Sequence, residues 1–381
     1  MSRLTPGYAN EKGTQRYAKK FADSSGKGHY SDFLNTGIRL SSIGVGTFSG
    51  QATPEVDEQV AKIIAQAIAS GINVIDTSAH YRYGRALAAI GAGLQMAFSQ
   101  GYSRDEIFLV SKGGFLTLRG GKPDNLQQWF QQEIVAKGLG EEKDLARHIH
   151  LLSPAYMDYQ IDLSRNLMGV ETLDAFLIDQ PEIHIADIGK ENTNKKLLDV
   201  FVSLEKAVQE NRIRGYGISS FESQRVETDD VLFQSITSML GLAEKAARQA
   251  TGDDTAKHHF KILQLPFNQV MTEGFARFNH ATGQGNISST LQAAYQLDVY
   301  VMASHTLLKG HLAQQSVDVV EQVMPLLKNP AQRAIQFNRS TPGVGTTLVG
   351  LSQLSHLSDI IDVSRQPPLD KKQYLSMYGK A

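Results

Sequence analysis

The chain has 381 residues, 41% hydrophobic and 20% charged, a composition typical of globular proteins rather than disordered or fibrous ones. A formal net charge of −1 at pH 7 provides no overall attraction to nucleic acid or to an anionic membrane, so neither partner is expected. With no cysteine and no apolar run of transmembrane or signal-peptide length, the sequence excludes disulfides and thiolate chemistry and leads us to expect a cytoplasmic location.

Short apolar runs rich in β-branched residues alternate with longer amphipathic segments from residue 40 onward, which is the pattern of a parallel sheet with crossover helices. Eight such runs follow one another: 40–48, 72–77, 106–112, 173–179, 212–219, 260–266, 299–304 and 346–351. After the first run, apolar residues from Val60 to Ile68 recur at helical spacing, and Gly71 provides a stop signal. Eight rounds favour a closed (β/α)8 TIM barrel, an α/β fold, over an open sheet.

One domain is expected to contain the whole barrel, over residues 36–365. An N-terminal arm at 1–35 and a C-terminal tail at 366–381 would lie outside it. The diluted positive charge of the arm indicates a segment that wraps the barrel rather than one that binds nucleic acid. Two βα segments, 113–154 and 270–288, are too long for simple loops, and long loops at a barrel mouth are often lids.

Polar residues stand at or near the ends of six predicted strands. Because the active site of a closed parallel barrel is built at the carboxyl ends of its strands, these side chains are candidates for chemistry. A single one would be explained by a strand that meets a polar loop, but six together, with an acid and a lysine on neighbouring strands, indicate a site. They are Asp76, Lys112, Asp179, Ser219, Gln264 and Ser304.

The chemistry expected at these strand ends is proton transfer. Asp76 and Lys112 can form an ion pair that fixes the ammonium near Tyr81. A phenol has a pKa of about 10 and exchanges protons poorly at pH 7 unless a nearby cation favours its ionised form. The three side chains therefore suit proton transfer to or from an alkoxide. Since no side chain can deliver hydride, a nicotinamide cofactor is the expected partner.

Seven blocks of the chain resemble the aldo-keto reductases, in order and at the spacing of that family. They are IGVGTF, DTSAHYRYGRALAAIG, LVSKGG, RIRGYGISSF, LQLPFN, MASHTLLKGHL and LVGLSQLSHLSDI, spread over about residues 38–362. The resemblance implies an NADP(H)-dependent oxidoreductase that reduces a small aldehyde or ketone to an alcohol, or catalyses the reverse, with NAD(H) not excluded. The expected partner is thus a small carbonyl or alcohol substrate, and the sequence does not specify an oligomeric state.

The resemblance also implies roles for individual residues. Tyr81 would be the general acid/base, Lys112 would lower its pKa, and Asp76 would hold Lys112, with Asp179 as the fourth catalytic residue. The implied cofactor-binding residues are Gly46, Thr47, Asp76, Ser219, Ser220, Gln264, Ser304, Leu307, Gly310, Gly350, Ser352 and His356. The implied substrate-contacting residues are Phe48, His80 and Gln180.

The chain departs from the family where the fourth strand ends. The family usually has a histidine there, before x-Pro, and the run LIDQPE instead has Asp179 with Gln180 beside it. An ionised carboxylate cannot donate a hydrogen bond to a substrate carbonyl and would repel a developing oxyanion. Three interpretations stay open: Asp179 is protonated and donates; Gln180, His80 or His305 turns inward and donates; or ordinary reductase chemistry has been lost.

These interpretations lead to different functions. A protonated acid would permit reduction of a carbonyl or of a C=C bond, since one steroid-reducing branch of the family has a glutamate here. Loss of reductase chemistry would leave a metabolite-binding barrel, or a lyase or isomerase in which Tyr81 and Lys112 transfer protons without hydride.

Smaller departures affect the cofactor and the turn after Tyr81. Arg82 stands where a glycine is common. Ser304 stands where an aromatic often stacks on the nicotinamide, so Phe267 or another aromatic would have to supply that stacking. His356 stands where an arginine commonly meets the 2′-phosphate, and its contact would weaken as the imidazole deprotonates. The histidine pairs in RHIHLL and KHHF lack a third ligand at a defined spacing, so no metal site is expected.

Overall fold

The structure is a computed structural model that describes residues 4–283 and 286–379. Eight parallel strands close into one barrel, and each overlaps its predicted run. In chain order β1 to β8 are Ile43–Gly46, Val74–Asp76, Phe108–Gly113, Ala175–Asp179, Tyr216–Ser219, Phe260–Pro266, Tyr300–Ser304 and Thr346–Gly350. Pairing of β8 with β1 closes the barrel, and the (β/α)8 prediction is confirmed.

A helix packs outside the barrel after each strand. In chain order α1 to α8 are Pro54–Ile68, Arg85–Ser99, Pro154–Met168, Glu182–Gln209, Ile236–Thr251, Thr290–Gln296, Pro330–Arg339 and Leu357–Ser364, with α4 broken at Gly189. Thr53 caps the N-terminus of helix α1: its side chain accepts a hydrogen bond from the Val56 N–H, and Pro54 is the first helical residue. Its predicted apolar face is buried, so α1 is anchored against the barrel.

Strand alternation explains why particular polar side chains enter the barrel. Successive side chains of a strand point to opposite faces. Val74 and Val110 belong to the apolar cluster inside the barrel, whereas Ile75 packs with the surrounding helices. Two residues further along the same faces stand Asp76 and Lys112. Leu177 and Ile262 also point into the barrel, so Asp179 and Gln264, two residues further along β4 and β6, point into it as well.

The described part of the predicted arm packs against the barrel. Helix Glu11–Lys20 is followed by a hairpin of strands Tyr30–Asp32 and Arg39–Ser41. Phe33 lies in the connection of that hairpin, and its ring centroid is 5.2 Å from that of Phe108, inside the barrel. The arm therefore covers the end of the barrel opposite the strand carboxyl ends.

The tail also packs on the main body. Its helix Lys371–Leu375 buries Tyr374, whose hydroxyl accepts a hydrogen bond of 2.9 Å from Thr341. The domain boundaries drawn from the sequence stay predictions. Residues 1–3 of the arm, residues 380–381 of the tail and residues 284–285 of the second long segment lie outside the described residues.

Both long βα segments contain secondary structure of their own. The segment between β3 and α3, called the insertion below (114–153), has a helix, a π turn, a 3-10 turn and a small hairpin: Leu126–Phe130, Gln131–Val135, Glu142–Asp144, and Leu145–Ala146 paired with His150–Leu151. The segment after β6 has a helix, Glu273–Ala276, and a hairpin, Phe278–Ala281 with Ile287–Ser289. A short helix, Asp318–Val323, precedes α7. Among the described residues, no helix combines the length and apolarity that crossing a membrane requires.

Candidate active site

Lys112 is the centre of the polar cluster at the barrel mouth. Its Nζ lies 2.7 Å from Asp76 Oδ2, 2.9 Å from the Thr77 carbonyl oxygen and 3.3 Å from the Tyr81 hydroxyl. The side chain is fully buried, and a buried ammonium is tolerated only when it is paired and hydrogen-bonded. Burial lowers the pKa of Lys112, but Asp76, Tyr81 and Asp179 outweigh it and raise that pKa, so the group is a cation at neutral pH.

Hydrogen bonds extend this cluster to β5 and β6. Gln264 Nε2 donates to Asp76 Oδ1 over 2.9 Å, and Ser219 Oγ donates to Gln264 Oε1 over 3.1 Å. From β1, the Thr47 hydroxyl donates to the Asp76 carbonyl oxygen over 3.2 Å. The structure thus brings together five of the predicted site residues with Tyr81.

The backbone turn that carries Tyr81 is left-handed. Arg82, Tyr83 and Gly84 have φ values of 50°, 59° and 83°. This conformation costs about 1–2 kcal/mol for each non-glycine residue, so the surrounding contacts must hold it. The Tyr81 ring lies against Phe48, with ring centroids 5.1 Å apart, and the Phe48 side chain is exposed at the mouth.

Two arginines of this turn bind a single carboxylate of α1. Arg82 Nη1 lies 2.6 Å from Asp57 Oδ1, and Arg85 Nη2 pairs with Asp57 Oδ2. The Arg82 side chain is only 2% exposed, and its Nε and Nη2 find no hydrogen-bond partner among the described residues. The buried charge of Arg82 therefore depends on Asp57.

The electrostatic environment favours the protonated form of Tyr81. Burial raises the pKa of Tyr81, and the negative charges of Asp179 and Asp76 raise it further, while Lys112 lowers it. The net shift is upward. The hydroxyl thus keeps its proton at neutral pH, which suits a proton donor better than a base.

Asp179 is a buried acid in the field of Lys112. Burial raises the pKa of its carboxyl to about 6, although the Lys112 ammonium opposes the shift. The group therefore changes charge in the mildly acidic range and is mostly ionised at pH 7. This pKa makes the protonated donor of the first interpretation available below about pH 6.

A pair of buried histidines fixes the backbone of Asp179. His150 Nε2 lies 2.6 Å from the Asp179 carbonyl oxygen, and His150 Nδ1 lies 3.0 Å from His184 Nε2. A carbonyl only accepts, so His150 donates through Nε2 and accepts from His184 Nε2–H. Burial lowers both pKa values, to about 3 for His150 and about 4 for His184, so both rings are neutral. A Cβ on Gly114 would lie 2.2 Å from His150 Nε2, which explains that glycine.

The three alternative donors lie in different surroundings. His80 contacts Tyr81 with ring centroids 4.8 Å apart, and its Nδ1 is 2.9 Å from Ser78 Oγ. Burial lowers the pKa of His80 to about 3, so it is neutral. His305 stands beyond β7, against Phe221, and Gln180 follows β4 with φ of 49°. Of the three, His80 is the one in ring contact with Tyr81.

The predicted cofactor residues of β1, β7 and β8 surround one side of the mouth. Gly46 and Gly350 are register partners at the ends of β1 and β8, and a Cβ on Gly350 would meet Ser49 Oγ at 2.9 Å. Ser352 follows β8, and His356 is exposed on the 3-10 turn that precedes α8. Leu307 and Gly310 lie on the loop after β7.

That loop after β7 has features the sequence interpretation missed. It is left-handed at four positions, three of them non-glycine: His305, Leu308, Lys309 and Gly310. Such backbone occurs preferentially at ligand sites. Lys309 is exposed, so the loop offers a cation next to the end of β7. A cation in this position suits the phosphates of a dinucleotide.

The expectation that Phe267 could stack on the nicotinamide is wrong. Phe267 is fully buried and its ring stacks on Phe337 of α7, with centroids 6.1 Å apart and planes 9° from parallel. The residue follows β6 on the outward face and belongs to the layer between barrel and helices. Phe48 and Phe221 are among the aromatic rings that do lie at the mouth.

Glu182 is a further site residue that sequence reasoning missed. It is the first residue of α4, and its Oε1 accepts hydrogen bonds from Ser220 Oγ at 3.1 Å and from the Phe221 and Glu222 N–H groups at 2.6 and 3.0 Å. The side chain is buried, and its Oε2 has no partner among the described residues. Glu182 therefore holds the loop after β5, which carries the predicted cofactor residue Ser220.

A model of the Aldo/keto reductase family matches residues 42–231, from β1 to the loop after β5. Among curated proteins, the 9,11-endoperoxide prostaglandin H2 reductase of Trypanosoma cruzi is 26% identical over 189 residues, which are 50% of this chain and 47% of that protein. The chain spans about half the length of the curated relatives it matches.

Solved structures resemble the whole barrel. The glycerol dehydrogenase of Gluconobacter oxydans has a TM-score of 0.63 at 17% identity, with 92% of this chain and 94% of that chain covered. An aldo/keto reductase from Klebsiella pneumoniae, in complex with NADP and acetate, has a TM-score of 0.58 at 18% identity, with the same coverage. At these identities the structural likeness shows the fold.

Proposed function

Because this chain belongs to the aldo/keto reductase family, we propose that it is an NADP(H)-dependent oxidoreductase that reduces a small aldehyde or ketone to an alcohol, or catalyses the reverse. The observation that carries the proposal is the 3.3 Å contact between the Tyr81 hydroxyl and Lys112 Nζ inside the barrel mouth. A buried cation against a phenol has the chemistry needed to move one proton to or from a substrate oxygen.

Each catalytic side chain has one task in this scheme. Tyr81 donates its proton to the carbonyl oxygen of the substrate, and Lys112 stabilises the phenolate that remains. Asp76 keeps Lys112 charged and in place. When bound, the nicotinamide supplies the hydride. His80, or Asp179 when it is protonated, donates a second hydrogen bond to the substrate oxygen. Exposed Phe48 offers an apolar contact for the rest of the substrate.

The cofactor would be held along β1, β5, β6, β7 and β8. We assign its nicotinamide end to Ser219, Ser220, Gln264, Gly46 and Thr47, and its phosphates to the loop after β7 and the start of α8. The proposed preference for NADP(H) over NAD(H) rests on His356, which offers a cation to a 2′-phosphate only when protonated. The cytoplasmic location expected from the sequence stays a prediction.

Cofactor titration and turnover together test this function. Trp129, the only tryptophan, and the tyrosines should report NADPH binding by fluorescence quenching. NADPH oxidation is then measured on aldehydes, ketones and enones, and NADP reduction on alcohols. Turnover on enones alone would favour C=C reduction. If NADPH binds but neither the wild type nor Asp179→His turns over, a degenerate or non-redox barrel is favoured. If NADPH does not bind even at millimolar concentration, a metabolite-binding, lyase or isomerase barrel is favoured.

The pH profile of carbonyl reduction should follow Asp179. If its protonated form donates to the substrate, kcat/KM falls as pH rises through about 6, the raised pKa of the carboxyl, and levels off at lower pH. Asp179→Asn retains a donor that does not ionise, so its profile should be flat between pH 5 and 8. The exposed Asp254→Asn serves as the control and should keep the wild-type profile. Identical profiles for wild type and Asp179→Asn would assign the donor to His80 or another group.

Removal of the Glu182 carboxylate should weaken cofactor binding. Glu182→Ala leaves the Phe221 and Glu222 N–H groups without their acceptor and releases the loop of Ser220, so the Kd for NADPH should rise about tenfold, which corresponds to about 1.4 kcal/mol. Glu182→Gln retains an acceptor oxygen and should bind within about twofold of wild type. Exposed Glu222→Gln is the matched control. An unchanged Kd for NADPH in Glu182→Ala would show that the loop after β5 does not contribute to cofactor binding.

A further inference from the structure

The position of Tyr81 depends on a backbone turn that its own residues do not favour. Arg82 and Tyr83 are left-handed without being glycine, and together with Gly84 they form one left-handed turn directly after Tyr81. Such a turn persists only where neighbouring contacts fix it. Its backbone hydrogen bonds are local: the Tyr81 N–H donates to Ser78 and the Tyr83 N–H to His80, both over 3.1 Å, and the Arg85 N–H donates to carbonyl oxygens of the turn.

A further restraint comes from α1. Asp57 lies near the start of that helix. It accepts from Arg82, the first residue of the left-handed turn, and from Arg85, which follows the turn. Its carboxylate is itself well placed, because negative charge is favoured near a helix N-terminus. The apolar face of α1 is buried, so Asp57 is tied to a rigid part of the barrel.

Arg82 has no substitute for Asp57. The guanidinium is buried, and the two of its nitrogens that do not meet Asp57 lack partners among the described residues. Without the carboxylate a buried cation would be left unpaired, which is strongly unfavourable. Arg82 would then move toward water, and the left-handed turn would lose the contact that fixes it.

We propose that Asp57 is a positioning residue for Tyr81: through Arg82 and Arg85 it fixes the left-handed turn that keeps the Tyr81 hydroxyl against Lys112. The inference rests on the proposed function only in assigning a proton transfer to Tyr81. Asp57 touches neither Tyr81 nor Lys112, and its effect passes entirely through the backbone of 82–84.

The first test is Asp57→Ala, assayed with NADPH and an aldehyde that the wild type reduces. We expect kcat to fall about 10- to 100-fold, as for a displacement of a catalytic group by about 1 Å, with the Kd for NADPH within twofold of wild type. Glu58→Gln, on the same helix, breaks an exposed pair with Lys62 and is the matched control. A lower kcat in Glu58→Gln as well, or a wild-type kcat in Asp57→Ala, would overturn the proposal.

The second test is rescue by Arg82→Gly in the Asp57→Ala background. Glycine adopts positive φ without strain, and its introduction removes the buried charge. The kcat of the double variant should therefore be about tenfold higher than that of Asp57→Ala. Because removal of the orphaned charge and of the strain at position 82 would also stabilise the fold, kcat of both variants is compared at a temperature at which urea unfolding shows each of them to be folded. A double variant as slow as Asp57→Ala would contradict the proposal.

A crystal structure of Asp57→Ala separates this inference from the proposed function. If the wild type reduces no carbonyl, the proposed function fails, but the Tyr81 hydroxyl should still lie further from Lys112 Nζ in the variant than the 3.3 Å of the wild type. An unchanged distance would overturn the role of Asp57 whether or not the protein is a reductase.

Discussion

Tyr81→Phe is expected to lower kcat for carbonyl reduction about 10²- to 10⁴-fold, the usual contribution of a positioned general acid. The substitution removes only the hydroxyl, so the ring contact with Phe48 and the turn after Tyr81 should persist. The Kd for NADPH should therefore stay within about twofold of wild type, because a lost proton donor affects the chemical step and not cofactor binding. Stopped-flow measurement of NADPH oxidation in a single turnover isolates that step.

The neighbouring Tyr83→Phe provides the control for this substitution. Tyr83 is exposed, belongs to the same left-handed turn, and has no hydrogen bond to Lys112, so its loss should leave the rate within about twofold of wild type. If Tyr81→Phe instead retains most of its turnover, the proton comes from another group, and His80 in contact with the Tyr81 ring is the first to test by His80→Phe.

Lys112→Met should have the largest effect on stability. The substitution has a similar length but leaves Asp76 buried without its cation, and breaking a buried pair in this way costs about 3–5 kcal/mol. The free energy of unfolding, measured in urea, should fall by that amount. Turnover should also be lost, because nothing then stabilises the Tyr81 phenolate.

The double variant Lys112→Met/Asp76→Asn separates charge from packing. An asparagine at position 76 can still meet Gln264 but carries no charge, so the double variant should recover part of the lost stability while turnover stays absent. Equal stability of the single and double variants would show that packing around Lys112, rather than the orphaned charge of Asp76, determines the loss.

The barrel could be predicted because its signals are local. Each strand is a short apolar run. In a following helix the apolar residues recur at helical spacing, as from Val60 to Ile68 in α1. Alternation along β2 and β3 then brings Asp76 and Lys112 into the barrel without further assumption. The fold and the central ion pair therefore follow from patterns within single elements.

The supporting contacts could not be predicted because they join distant parts of the chain. Glu182 begins α4, where an acid is ordinarily explained by the helix N-terminus, yet its partners are 38 to 40 residues away. Arg82 finds Asp57 25 residues earlier. His150 sits in an insertion, where RHIHLL resembles surface sequence, and only the folded chain brings it to Asp179. The error over Phe267 has a different origin, because the alternation that brings Gln264 into the barrel already places Phe267 on the outward face, where it meets Phe337 of α7.

The hydrogen bond from His150 to the Asp179 carbonyl has a practical consequence for redesign of this protein. A protein engineer who wished to widen the mouth would be inclined to excise the insertion as a removable cover. His150, near the end of the insertion, however, donates to the backbone of the last residue of β4, and deletion would remove this support from Asp179. A shortened version must splice upstream of the His150–Leu151 strand and retain Gly114, so that the imidazole still reaches the strand end.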